Sequence, residues 1–132
     1  MEFYCLSVFK DEFEKLCKKN SYAGLPQDLI DCFFGKKTVD ILSGTRLNQS
    51  DTVPYIKKRL SGRGGFRLYF LVNIKKEKVY LMFVHPKTGS EGSDNITNES
   101  KAKIYKDVLE AIKTNNLFEV IIAQNSVEIK NA

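Results

Sequence analysis

The sequence predicts an α+β domain in which two N-terminal helices and one C-terminal helix pack on one face of an antiparallel sheet of three to five strands. Three observations lead there. Apolar residues recur at helical spacing before residue 35 and again over 97–113. Between residues 36 and 84 the pattern changes to period two, broken by turn formers. The chain has 132 residues, 42% hydrophobic and 28% charged, which suits one packed core rather than two domains or a disordered segment. A single domain is expected over 1–132, with 117–132 as a C-terminal extension.

The first helix is expected over 9–19. Phe9, Phe13, Leu16 and Cys17 form its apolar stripe, with Asp11 and Glu12 in the first turn and Lys18 and Lys19 in the last, as the helix dipole favours. A second helix is expected from near Pro26 to before Gly35, burying Leu29, Ile30, Phe33 and Phe34. Residues 38–42 read as a short strand, and 44–52 (GTRLNQSDT) as a loop. Residues 53–60 alternate, with Tyr55, Lys57 and Arg59 on one face and Ile56 and Leu60 on the other. Three glycines and Arg63 mark 61–65 as a turn. The clearest strand is 66–74. Phe66, Leu68, Phe70, Val72 and Ile74 share one face, and Arg67 and Tyr69 lie on the other. A polar hairpin connection at 75–78 leads to 79–84, an almost wholly apolar run that reads as a central strand and ends at His85-Pro86. A loop follows over 88–96, then a helix over 97–113 with Thr97 as its N-cap. The tail, 118–123 and 127–130, reads as one further strand or a small hairpin.

Composition excludes several function classes. No run of 18 apolar residues exists, so no membrane-spanning helix is expected. The N-terminal residues lack the pattern of a secretory leader. Three cysteines (Cys5, Cys17, Cys32) with no C-x-x-C pair argue against a disulfide scaffold or a zinc site, and favour a reducing cytoplasm. With one histidine, His85, and no acidic cluster, neither a Cys/His metal centre nor a two-metal site is expected. No phosphate-cradling or dinucleotide fingerprint is present, and no cofactor is expected.

Charge is the stronger signal. The net charge of +5 is unevenly spread. Residues 57–89 carry nine basic side chains against one acid, Glu77, a local balance of +8, while the rest of the chain stands at −3. A basic block in a mildly acidic domain points to a polyanionic partner or to a solvated lysine-rich surface. On the expected sheet, Lys57, Arg59 and Arg67 would share a face with Tyr55 and Tyr69. Cations interleaved with tyrosines suit RNA, the cations taking phosphates and the rings stacking on unpaired bases.

The stretch IKKRLSGRGGFRLYFLVNIKKEKVYLMFVHPKTG resembles the core of RelE/ParE-superfamily toxins, in particular the HigB-like group. The resemblance rests on Lys57, Arg59 and Leu60, then Gly62, Gly64, Gly65 and Arg67, then Pro86 and Lys87, followed by the helix ITNESKAKIYKDVLEAI. It covers residues 46–113, extends to the N-terminal helices only in pattern, and does not reach the tail. It implies a small RelE-like fold and the toxin of a type II toxin–antitoxin system. Many such toxins are metal-independent endoribonucleases that cut mRNA on the ribosome, and a helix-turn-helix antitoxin usually neutralises the HigB-like ones. The ParE branch instead inhibits DNA gyrase without nuclease activity. A third reading is a non-catalytic RNA- or protein-binding module on the same scaffold.

Metal-free RNA cleavage needs the 2′-hydroxyl activated, the phosphorane charge stabilised and the 5′-oxygen protonated as it leaves. Arg67 is the candidate for charge stabilisation, because a guanidinium stays charged and holds two phosphate oxygens at once; the alternative is a surface arginine paired with an acid. Lys57 and Arg59, two apart on one strand, face the same way and would act as acid and base or contact phosphate. His85, the side chain that titrates nearest neutrality, is a candidate acid or base, or simply a hydrogen-bonded histidine at a strand end. Lys58, Arg63, Lys87 and Arg46 are candidate RNA contacts. Tyr55 and Tyr69 are candidate base-stacking rings, or packing residues.

Overall fold

A computed structural model describes residues 1–60, 65–87 and 96–131. The elements follow in the order β1 (Glu2–Cys5), α1 (Ser7–Cys17), a 3-10 turn (Asn20–Tyr22), α2 (Leu25–Phe33), α3 (Thr38–Ile41), β2 (Thr45–Arg46), β3 (Tyr55–Leu60), β4 (Phe66–Asn73), β5 (Lys78–Pro86), α4 (Asn98–Thr114), β6 (Phe118–Ile122) and β7 (Val127–Asn131). The strands form one sheet in the order β2-β3-β4-β5-β1-β6-β7. Among the described residues no helix is long and apolar enough to cross a membrane.

This corrects the expected architecture. The sheet has seven strands rather than three to five, and it is mixed: β1 runs parallel to β5, while its other neighbour, β6, is antiparallel. The strand that makes the difference is β1, over which the periodicity predicts no element. Its four residues pair Glu2 with Lys78 through Cys5 with Leu81. A pairing between residues 76 apart in the chain leaves no local signature, and a four-residue strand is too short to show its period. The tail is a hairpin, with Phe118 opposite Asn131 and Ile122 opposite Val127, so both its strands extend the sheet. Two smaller corrections lie at the other edge. Residues 38–42, rich in β-branched side chains, form the single helical turn α3 rather than a strand. The edge strand β2 falls inside the expected loop. There Gly44 is required, because a Cβ would lie 2.8 Å from the Lys57 carbonyl oxygen.

The helices also cover both faces, not one. On the first face, α1 contributes Phe9, Phe13 and Leu16, and α2 contributes Leu25, Leu29 and Phe33. These meet Ile56, Leu60, Leu68, Phe70, Val72, Val79, Leu81 and Val84 from the strands. The second face carries Tyr55, Tyr69, Leu71, Tyr80 and Met82, and α4 packs on it through Val108 and Ala111. The expected helix over 97–113 is present, and the Thr97 hydroxyl oxygen accepts the Ser100 N–H at 3.0 Å as its N-cap. The first helix starts at Ser7, two residues early, so Asp11 and Glu12 fall in its second turn.

One irregularity decides where the site forms. Tyr69 pairs with Phe83 but Phe70 pairs with Leu81, so Met82 is an extra residue on β5. Across this bulge Met82 and Phe83 both turn toward α4, and Leu81 and Val84, three apart, both reach the α1/α2 core. Strict alternation from Tyr80 would have aimed His85 at that core; the extra residue puts it on the α4 side instead.

Candidate functional site

Strands β3, β4 and β5 bring their cations into two adjoining rows. Arg59, Arg67 and His85 lie opposite one another, and one step along, Lys57, Tyr69 and Phe83 do the same. Directly opposed side chains on antiparallel strands stand ~5 Å apart, so the members of each row are neighbours. The rows grade from inside to outside. Tyr69 is fully buried, Arg67 and His85 are each 5% exposed, Lys57 is half-buried and Arg59 faces solvent.

His85 is held at both ring nitrogens. Nδ1 lies 3.1 Å from the Pro86 carbonyl oxygen, which can only accept, so in the neutral ring this nitrogen carries the proton. Nε2 then presents its lone pair to the Tyr69 hydroxyl at 3.3 Å, and the two rings stack at 5.7 Å. Burial pushes the imidazole below its ordinary value of 6.5, the Pro86 carbonyl opposes this, and the charges of Arg67 and Lys57 add to it. His85 is therefore a neutral imidazole at pH 7. Burial raises the Tyr69 phenol, against a backbone hydrogen bond with Ile96 and the Arg67 charge, so it too stays protonated.

Arg67 and Lys57 complete the chemistry. The Arg67 Nη1 is buried and has no hydrogen-bond partner among the described residues. An unmatched buried donor costs about 1–3 kcal/mol, more when charged, and invites an anionic oxygen. Gly65, at φ +70°, lies beside this guanidinium: a Cβ there would sit 4.0 Å from Nη1. The Gly65 carbonyl accepts the Lys87 N–H at 3.0 Å and carries the ladder one residue beyond Pro86. Burial lowers the Lys57 ammonium first, and Lys101, Arg67 and Arg59 lower it further. Surrounded by cations, Lys57 gives up a proton more readily than an ordinary lysine.

The structure thus brings Lys57, Arg59, Arg67, Tyr69 and His85 together, with half-buried Lys87 just beyond. Other expected residues lie elsewhere. Lys58 is on the α1/α2 side, where its ammonium donates to the Asp40 and Ile41 carbonyls at 2.8 and 3.1 Å and closes the end of α3. Arg46 is on edge strand β2 opposite Ile56, and its Nη1 donates to the Ser50 carbonyl at 3.2 Å. Tyr55 is 4% exposed; its ring stacks on Tyr105 of α4 and its hydroxyl donates to the Lys101 carbonyl at 3.1 Å. Neither Tyr55 nor Tyr69 offers a free ring face, because α4 packs on this side of the sheet. Arg63 lies outside the described residues.

Two participants carry no local signal in the sequence. Phe83 packs its ring 5.9 Å from His85, and Lys101 of α4 adds its charge near Lys57. The apolar run 79–84 conceals the bulge that aims Phe83, since a strand without alternation shows no break in alternation. Lys101 is marked by its place on α4 alone, and nothing local ties it to β3.

Among the described residues no group of three or more His, Cys, Asp or Glu is placed to hold a metal ion. The three cysteines are free thiols; burial pushes Cys5 up to about 12 and Cys17 and Cys32 to about 11, which makes them poor nucleophiles. No protein-family model and no curated protein matches the chain.

Proposed function

We propose that the protein is a metal-independent endoribonuclease that cuts mRNA on the ribosome, as the toxin of a type II toxin–antitoxin pair similar to the HigB-like branch of the RelE/ParE superfamily. The observation that carries this reading is the buried Arg67 Nη1, without a hydrogen-bond partner among the described residues, beside a neutral His85 and inside a row of cations. The RelE/ParE resemblance of residues 46–113 supplies the ribosome as the place of action and a helix-turn-helix antitoxin as the partner.

Each residue has a role that its environment suits. Neutral His85 takes the 2′-hydroxyl proton on Nε2, the substrate hydroxyl replacing the Tyr69 hydroxyl that this nitrogen meets at 3.3 Å. The 2′-oxygen attacks phosphorus, and Arg67 Nη1 receives the charge that builds on the phosphorane oxygens. The bond to the 5′-oxygen breaks as Lys57, its ammonium made more acidic by burial and neighbouring charge, delivers a proton. The products are a 2′,3′-cyclic phosphate and a 5′-hydroxyl. Arg59, exposed at the outer end of the row, draws the phosphate in.

Primer extension on a reporter mRNA after brief induction tests this, with wild type beside Arg67→Ala and His85→Ala. Cuts inside translated codons are expected in wild type, reduced at least 10²-fold in Arg67→Ala, as for loss of one oxyanion donor. Intact mRNA with arrested growth would replace the reading with gyrase inhibition, checked by a supercoiling assay. Intact mRNA with normal growth would leave a non-catalytic binding module.

A further inference from the structure

A concave site lies on the same face, one step along β3 from Lys57. It is an open cavity of about 380 Å³ between α4 and the segment before β3, lined by Leu47, Asn48, Tyr55, Asn98, Lys101, Ala102 and Tyr105. The four α4 residues stand at positions i, i+3, i+4 and i+7, so they form one continuous helix face. The opposite wall is pinned. The Leu47 N–H donates to the Tyr55 carbonyl at 2.8 Å, and Asn48 both donates to the Val53 carbonyl at 3.0 Å and accepts the Tyr55 N–H at 2.9 Å. The cavity is therefore formed before any ligand arrives.

Its chemistry is that of a base-stacking site. Tyr55 and Tyr105 stack nearly parallel, at 5.3 Å and 15°, and half-buried Tyr105 is the member of the pair that remains open to the cavity. Asn48 has one N–H and one oxygen lone pair beyond the two bonds that fix it, enough to meet a base edge. The charge on Lys101 is felt by Lys57, which joins the cavity to the cationic rows. Tyr55 and Lys57 are two apart on a strand, a separation of ~6.7 Å, so a base in the cavity would belong to a nucleotide next to the one engaged by Lys57.

We propose that the cavity formed by Tyr55, Tyr105, Asn48 and Lys101 is a subsite for one unpaired nucleobase of the RNA strand, flanking the scissile phosphate and setting the base preference of cutting. The inference rests on the ribonuclease reading for its substrate, but binding at the subsite is measurable without cleavage.

The test uses fluorescence anisotropy with labelled 2′-O-methyl RNA hexamers, which lack the attacking hydroxyl, alongside mapping of cut sites. Tyr105→Leu and Lys101→Glu are each expected to weaken binding about tenfold, as for loss of one stacked base or one phosphate contact. Tyr105→Phe, which keeps the ring, should bind like wild type. In cut-site maps Tyr105→Leu should lose the base preference at one position beside the cut. Melting curves keep a folding defect distinct from a binding defect, and Lys101→Glu changes a surface charge without touching the core. If both Tyr105→Leu and Lys101→Glu bind within twofold of wild type and cut with the same preference, the subsite is wrong even when the ribonuclease reading stands. If wild type cuts no RNA yet binds the hexamers in a Tyr105- and Lys101-dependent way, the ribonuclease reading and the subsite's part in cutting fall, and the cavity stands as a nucleobase-binding site.

Discussion

The two faces of the sheet are built from the same strands and differ in what covers them. On the α1/α2 face two helices lay down a continuous apolar layer, with Phe33 edge-on to Phe70 at 5.3 Å and Phe9 stacked on Phe13 at 5.7 Å. The single cation that enters it from β3, Lys58, is turned to cap helix carbonyls. On the other face α4, seventeen residues long, buries only Val108 and Ala111, and the strands contribute tyrosines, an arginine and a histidine. One face holds the fold together. The other accepts a buried guanidinium and imidazole, and the Arg67 Nη1 has no hydrogen-bond partner among the described residues. The α1/α2 face also leaves one buried oxygen without a partner among them, Asp28 Oδ2, but that carboxylate repels an anion where the guanidinium attracts one.

The largest effect that would sharpen this contrast is on the apolar face. Phe70→Ala should cost about 3–5 kcal/mol, read from the urea midpoint, because the ring is fully buried against Phe33 and beneath the Lys58 ammonium. A cost under about 1 kcal/mol would mean the two faces contribute alike. On the α4 face the sign should reverse. Arg67→Met keeps the aliphatic volume and removes a buried donor that has no partner among the described residues, so it should raise stability by about 1–3 kcal/mol while abolishing cleavage. A destabilised Arg67→Met would show that the guanidinium is structural and break the comparison.

The smallest effect is a pH dependence confined to the same face. His85 is depressed below 6.5 in the folded chain, so the folded state favours the neutral ring. Its contribution to stability is complete above 6.5 and is lost as pH falls from 6.5 through the folded value. Melting temperature should therefore drop on acidification in this range, and His85→Gln should flatten that part of the profile. An unchanged slope in the variant would place the titration elsewhere.

Much of this was legible in the residues, and the illegible part has a common cause. The strand over Phe66–Asn73 reads directly from its alternation, as does the Tyr55/Lys57/Arg59 face of β3, because each is a local period in one element. Thr97 declares its helix by a cap that acts within three residues. Arg67 and His85 stood out by residue type, since guanidinium and imidazole carry the same chemistry wherever they sit. Their meeting did not. It depends on one extra residue at Met82, hidden in an apolar run, and on the register between β4 and β5.

The sequence by itself determined the periods, the caps, the basic block over 57–89 and the kinds of side chain available, because these follow from each residue and its near neighbours. Tertiary structure alone decided that β1 enters beside β5, that helices cover both faces, that Tyr55 and Tyr69 are buried rather than offered to RNA, that Lys58 caps α3, and that Arg46 stands apart from Arg67. Each of these is a contact between segments far apart in the chain. The free energy of such contacts comes from burial and pairing that exist only once the layers have closed, so no window of sequence holds it.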